Sequence, residues 1–555
     1  MTSDGPDGQL SLTVDGREVS VADDGRTLLE VLRGELGLTT LKDGCSPQGQ
    51  CGCCTVWIDG APRVACVTPV RRVAGRTVTT LDGLSGTARS AWADALVATG
   101  GSQCGFCTPG IIMRLAALFP EADPESGTTD AAPARWRPES SPQEVNQALL
   151  AHLCRCTGWQ SVIEAAARVA DGLVDGGDRD FARAARRAEL EGGVTQRVGP
   201  EVTLGRGGFA NDLAPADSLV AVPDGAGDYS VGSSLAEARK LAGKVQGRNT
   251  TVPLSYPVEM PEGSFLHRLR TTWVEPAYLE PDASWCEPGG EPASPVGNGG
   301  AFGGKLSSPV ADDARRLADE WGRTVSVVWS REDVVRHGPK RPPVAGGIDA
   351  SGHGRLKVGV GVGVDPAAWD RITSEVARVA PSLVVEAVPV PGPAVSLDLR
   401  AAVWAEAAVL AAVARAGESS DQWGVTFEVT APNGATATAR MDASDEVFVT
   451  VAAGSVLDPV VLTSYCIGAV HQGLGWVRSE GVAVDDDGEI RDLTIRSYGV
   501  LQARAMPKVV VAIEESDGPP VNGSDAVMAA VAAAAWWAGG CPEAWPIDRA
   551  GVGRR

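Results

Sequence analysis

The chain has 555 residues, too many for one hydrophobic core, and at roughly 100–200 residues per domain three or four are expected. Lys and Arg number 49 against 70 Asp and Glu, a formal charge of −21, which excludes a nucleic-acid partner because that binding is driven by basic patches. The opening MTSDGPDGQL lacks the basic and apolar regions of a secretory signal. The apolar run Ala526–Ala538 is 13 residues, short of the ~20 that span a bilayer, so the expectation is a cytoplasmic protein without a membrane segment.

In chain order, residues 10–21 alternate apolar and polar around Asp15-Gly16, the signature of a β-hairpin. Thr27 to Leu36 shows helical spacing through Leu28, Leu29, Leu32 and Leu36. A second hairpin pivots on Asp59-Gly60 and carries Cys54 on one arm and Cys66 on the other. Residues 1–85 therefore read as a small sheet with one packed helix. From Ala88 the pattern turns helical. Thr108, with Pro109 at the first helical position, predicts a capped helix through Leu118, and Thr157 predicts another through Ala170. Between them Pro120 to Pro142 reads as a surface excursion, and the charged, Gly-punctuated stretch 176–200 as a linker. Beyond it, short Val-rich strands alternate with Gly/Pro turns and Ala-rich helices.

Nine of the twelve cysteines lie between Cys45 and Cys156. A chain without a secretory signal is poor material for disulfides, so these thiols point to metal. Cys45, Cys51, Cys54 and Cys66 form C-x5-C-x2-C-x11-C, one residue longer in the first gap than the plant-type 2Fe-2S spacing. Gly44, Gly49 and Gly52 would let backbone N–H groups approach the sulfurs. Cys53 reads as a bystander, with its use in place of Cys51 or Cys54 left open by spacing alone. Cys104-x2-Cys107 and Cys154-x-Cys156 each precede a predicted helix start, where the dipole favours thiolates. Together they suggest a second four-thiolate site. The alternative at both is structural zinc, in a binding protein without redox function.

The pair of motifs, C-x5-C-G-x-C with Cys66 followed by QCGFCTPG and CRCTGW, resembles the two-cluster iron-sulfur part of the xanthine oxidase family of molybdenum hydroxylases, over residues ~10–172. The resemblance implies an α+β multidomain chain: a β-grasp 2Fe-2S ferredoxin domain over 1–85 and a four-helix 2Fe-2S domain over 86–175. After a linker over 176–200, an abridged α+β molybdopterin-binding-like region over 201–555 would follow. It also implies two 2Fe-2S clusters, and that Gln103 matches a glutamine touching the pterin. The longer first cysteine gap and the insertion before Cys154 depart from the family without removing a ligand.

The C-terminal half is similar to the family's molybdenum subunit, more faintly. Trp273–Glu280 resembles a substrate-side segment, and Gly299, Gly300, Phe302, Gly303 and Gly304, in GGAFGGK, resemble a glycine loop that approaches the molybdenum cofactor. Ser330-Arg-Glu-Asp and Gly338–Pro342 match a downstream pair, His471–Trp476 resembles another cofactor-side glycine loop, and Arg400 matches a substrate-orienting arginine. Two departures stand out. The region is about half the family's length, and where the family places a catalytic glutamate this sequence has Val521-Asn-Gly-Ser524-Asp525. Asp525 is the candidate general base there, and the plainer reading makes Ser524 and Asp525 helix N-caps.

No GxGxxG follows a strand, so FAD is expected on another subunit. The resemblance thus implies an oxidoreductase component passing electrons from an aldehyde or N-heterocycle through two clusters, with a flavin subunit, a complete molybdenum subunit or both as partners. Two versions stay open: molybdopterin bound on this chain, or a non-catalytic electron-transfer and scaffold subunit.

Overall fold

The computed structural model describes residues 8–119, 142–173, 179–243, 252–293, 298–361, 364–417 and 421–548. The proposed excursion at 120–141, the first residues of the linker and Gly297 of the glycine-rich stretch lie outside them.

The N-terminal sheet has five strands in the order β2-β1-β5-β3-β4, with β1 Gln9–Val14, β2 Arg17–Ala22, β3 Thr55–Ile58, β4 Ala61–Val64 and β5 Thr77–Thr79. Both hairpins turn where the Asp-Gly pairs predict, with Asp15, Gly16, Asp59 and Gly60 all at positive φ as a tight two-residue turn demands. β1 pairs parallel with β5, so the sheet is closed by a crossover rather than a meander. Thr27 caps a helical segment in a capping box with Glu30, and the segment continues as a π-turn over Val31–Glu35.

Four helices follow among the described residues: Gly86–Thr99, Thr108–Ala116, Pro142–Ala148 and Gln160–Ala170. Neither threonine caps as expected. The N-cap before the second helix is Cys107, with Thr108 already helical. Helix Gln160–Ala170 starts after Trp159, and Thr157 instead turns its hydroxyl to Cys154 Sγ at 3.2 Å.

The stretch read as a linker folds. Asp180 accepts from the amides of Ala182 and Arg183, and a helix runs from Phe181 to Gly192 before Gly193 ends it in the left-handed conformation. We call this the linker helix.

The remainder of the described residues forms three further sheets against helices, a mixed α+β arrangement. Its core is built on two helices. Pro459–Arg478, the core helix, is 20 residues long and apolar enough by composition to cross a bilayer, but nearly all of it is buried against protein. The C-terminal helix, Ser524–Ala538, is apolar all round and buried except for Asp525, as a helix inside a core should be. The HQGLGW segment is part of the core helix rather than a loop. Gly473 brings its backbone close to Met528 on the C-terminal helix, where a Cβ would lie 2.8 Å from the Met528 carbonyl. Gly473 thus serves a close helix crossing, while a Cβ on Gly475 would meet the Glu480 carboxylate. Trp476, Trp536 and Trp545 meet edge to face beside this contact.

Candidate iron-sulfur sites and the cleft behind them

The first cysteine nest is a loop lying over the β3–β4 hairpin. Cys45, Cys51, Cys53, Cys54 and Cys66 are all buried. The amides of Gln48 and Gln50 point at Cys45 Sγ (3.2 and 3.5 Å), and the amide of Cys66 at Cys54 Sγ (3.4 Å). These are the N–H···S contacts that stabilise negative charge on sulfur. Distant segments hold the loop. Arg331, wholly buried, donates to the carbonyls of Gly44 and Leu279 at 2.8 Å, and Arg496 donates to Gln50 O at 2.9 Å. The Ser330-Arg-Glu-Asp motif is therefore a capping box whose arginine supports the cysteine loop.

The second nest gathers Cys104, Cys107, Cys154 and Cys156 from the starts of two helices. Cys154 Sγ receives the Thr157 amide at 3.5 Å as well as its hydroxyl. Cys104 and Cys156 sulfurs stand 3.6 Å apart, near the ~3.8 Å between two thiolates on one tetrahedral metal with bonds of ~2.3 Å. Among the described residues, no three Cys, His, Asp or Glu groups converge on one point as a single metal ion requires.

The nests touch each other. Leu153 donates its amide to the Cys51 carbonyl at 3.1 Å, and His152, buried, places Nε2 3.2 Å from both Thr55 Oγ1 and Gly110 O. Cys53 lies on this seam, with Gly110 packed so close that a Cβ there would be 2.9 Å from Cys53 Cα.

The donor set suits iron-sulfur clusters. Cys45 is drawn well below the usual thiol range by hydrogen bonds from Cys51 and then Cys66, and Cys154 likewise by Cys107 and then Cys156. Their partners move up: Cys51 and Cys66 through donating to Cys45, Cys107 through Cys154, and Cys156 through Cys104. Charge settles most readily on Cys45 and Cys154; a bound cationic iron core would let the other thiols of each nest ionise as well.

The molybdopterin candidates sit behind the second nest. Gln103 donates Nε2 to Cys156 O and to Ser464 Oγ, both at 3.0 Å, and its Oε1 has no partner among the described residues. Gly299–Ala301 form a 3-10 turn capped by Asn298, and Phe302 (φ +46°) and Gly303 (φ +90°) reverse the chain after it. Lys305 anchors the loop through a buried ion pair with Glu280 at 2.8 Å. Gly300 lies directly on the thiols: a Cβ there would be 2.6 Å from Cys156 Sγ and 3.2 Å from Cys104 Sγ. A side chain on Gly299 or Gly192 would overlap the Gln196 amide, and Gly468 is pressed against Cys156 O.

Gln103, Gly299 and Gly300 border no cavity with room for molybdopterin among the described residues. The cavity lined by Gln103, Ser464, Tyr465 and Ala188 is about 20 Å³, room for one or two waters. The one between Arg155, Phe302, Arg400, Gln472 and Glu480 is about 50 Å³, against the roughly 300 Å³ or more of a ligand pocket. A larger cleft of about 340 Å³ borders Phe302 and Gly303 of the glycine loop, Arg400, Asp525 and Glu191–Val194, but its lining includes neither Gln103 nor any cysteine.

Asp525 and Ser524 are not N-caps. Gly523 holds that position; Asn522 Oδ1 accepts the Asp525 amide (3.0 Å), and the Glu191 carboxylate accepts the Gly523 and Ser524 amides (3.1 and 2.9 Å). Asp525 instead pairs with Arg400 at 2.7 Å, while Arg400 lies over the Phe302 ring. The carboxylate is thus committed to a guanidinium. Sequence reasoning missed Arg187, Glu191 and Gln196 of the linker segment. Asp180 and the Gly192-Gly193 stop were the legible signals that a helix carried them.

Residues 12–71 match a family model described as "2Fe-2S iron-sulfur cluster binding domain", and residues 80–167 one described as "[2Fe-2S] binding domain". The chain is 35% identical over 173 residues to a probable xanthine dehydrogenase subunit of Bacillus subtilis, covering 31% of this chain and 90% of that protein. It is 38% identical over 158 residues to the nicotine 6-hydroxylase small subunit of Paenarthrobacter nicotinovorans, covering 28% and 86%. The solved aldehyde oxidoreductase from Desulfovibrio gigas superposes with a TM-score of 0.65 at 15% identity over 95% of this chain and 97% of that one, a likeness of fold alone. With two 2Fe-2S domain matches and small-subunit relatives spanned almost end to end, this chain belongs to the xanthine oxidase family of molybdenum hydroxylases, a family of oxidoreductases.

Proposed function

We propose that this chain is the iron-sulfur electron-transfer component of a xanthine dehydrogenase- or aldehyde oxidase-like hydroxylase. One 2Fe-2S cluster would be held by Cys45, Cys51, Cys54 and Cys66, in a domain over 1–85, and a second by Cys104, Cys107, Cys154 and Cys156, in a domain over 86–175. The observation that carries this reading is the pair of mutually touching thiol nests, joined through the Leu153 amide and the Cys51 carbonyl. Bound clusters supply one-electron acceptors and donors. The chain's own residues do the rest. Amides of Gln48, Gln50, Cys66 and Thr157 hold negative charge on sulfur, and burial keeps water from all of these thiols but the half-buried Cys104. Arg331 and Arg496 fix the first loop so that it need not reorganise when its charge changes.

The substrate class, an aldehyde or N-heterocycle, would be oxidised at molybdenum, held by this chain or by a partner subunit, and electrons would leave through a flavin subunit or another acceptor. Reduced thiols suit the cytoplasm. The test is metal and sulfide analysis of the purified full chain. About four irons and four acid-labile sulfides, with visible absorbance that bleaches on reduction, are expected. A colourless chain holding zinc would refute the reading and favour the binding-protein alternative.

A further inference from the structure

Four features converge on the cleft between the second cysteine nest and the C-terminal helix. Arg187, with no exposed surface, donates to the carbonyls of Val521 (2.7 Å), Ser455 (2.8 Å) and Val456 (3.0 Å) and pairs with Glu191 at 3.0 Å. Glu191 in turn takes the Gly523 and Ser524 amides, where the positive end of the C-terminal helix would otherwise face an anion. Gln196 donates to Tyr465 Oη at 2.6 Å and to Ala188 O at 3.1 Å, and its amide fills the space over Gly299 and Gly192. Ala184 and Ala188 of the linker helix complete a small apolar cluster with Phe302, Val461 and Tyr465. Gly299 of the glycine loop and Tyr465 of the core helix are met by Gln196, and the Gly523 and Ser524 amides at the C-terminal helix by Glu191, all from this one segment.

We propose that residues 181–196 are an internal occupant of the cleft in which the family's pterin cofactor would lie, so that this chain carries electrons without loading molybdopterin. The proposal rests on the electron-transfer reading above and decides between its two versions. The carboxylate of Glu191 takes the two amides at the start of the C-terminal helix, and the Gln196 amide covers Gly299, so neither the helix end nor that glycine is open to a ligand. Arg187 is the group that holds the segment in place, because its guanidinium is matched by carbonyls from two separate loops and by a carboxylate on its own helix.

The test uses the full chain, produced in cells where a complete molybdenum subunit of the family is loaded in parallel. Iron, molybdenum and pterin, the last as its fluorescent oxidation product, are measured per chain, together with hydrogen exchange at the Gly523 and Ser524 amides. The expected result is iron near full occupancy, molybdenum and pterin below about a twentieth of the loaded subunit's, and both amides as protected as the core helix. Glu191→Gln should speed exchange at those two amides roughly tenfold or more, as loss of a charged acceptor implies. Gln196→Ala, a milder change, should leave them protected. Equimolar molybdenum and pterin in the unaltered chain, or freely exchanging Gly523 and Ser524 amides, overturns the proposal. Missing iron would instead refute the electron-transfer reading, so the two failures are distinct.

Discussion

Gly300→Ala isolates the contact between the glycine loop and the second cysteine nest. Gly300 is not in the left-handed region, so alanine meets no backbone objection, and space alone decides the outcome. The new methyl would lie 2.6 Å from Cys156 Sγ, 3.0 Å from Asn298 Oδ1 and 3.2 Å from Cys104 Sγ. Restoring an ordinary contact of ~3.5–4.0 Å needs a shift of about 1 Å. Neither side yields readily: the loop is tied down by the Lys305–Glu280 pair, and the Cys156 carbonyl is wedged against Gly468. Overpacking of this kind costs ~1–3 kcal/mol. If that falls on the assembled site, retention of the second cluster drops by roughly 5–150-fold while the first is untouched. Electron paramagnetic resonance of the reduced chain, with iron counted, reads this directly: one signal weakened or shifted, the other constant. Gly86→Ala, which has open space around it, is the control. Two unchanged signals at full iron content would show that the loop does not bear on Cys104 and Cys156, and the packing argument would fail.

Cys104→Ser or Cys156→Ser should each remove one of two spectroscopically distinct iron-sulfur signals and spare the other; loss of both in a folded chain, or of neither, would refute four ligands per nest. Cys53→Ser should preserve both signals, and losing the first would mean that Cys53 replaces Cys51 or Cys54 as a ligand. Asp525→Ala strips a buried guanidinium of its carboxylate but leaves Arg400 its bond to Ser524 Oγ and its place over Phe302, so a cost of ~1.5–3 kcal/mol is expected. It should appear as a lower unfolding midpoint with unchanged iron signals, whereas a loss of turnover per folded molecule of ~10²–10⁴ would restore Asp525 as a base.

What is legible in the sequence follows from the range over which each signal acts. The Asp-Gly hairpins need only four consecutive residues, and both form as written. The cysteine spacing points to two nests because helix starts and a hairpin bring near neighbours together. Thr157 reads as a cap and is not one, because a hydroxyl takes its partner from three dimensions, here Cys154 Sγ. The glycines of HQGLGW read as a loop, since sequence does not distinguish glycine needed for a turn from glycine needed for a close helix crossing. The linker carries the signals of its helix, Asp180 at the start and Gly192-Gly193 at the stop, beneath a composition that reads as a solvated connection. Its charge suggests exposure, but Arg187 and Glu191 pair with each other and find their remaining partners over 250 residues away.

The bond from the Leu153 amide to the Cys51 carbonyl is made entirely by main chain. A tunnelling route that uses it is indifferent to which side chain occupies position 153, so its conductance withstands sequence drift that would sever a side-chain relay. Only proline there would delete the donor. The same bond spans two structural units, so any hinge opening between the sheet and the helices stretches it, and electron flow becomes a gauge of how firmly the two are closed.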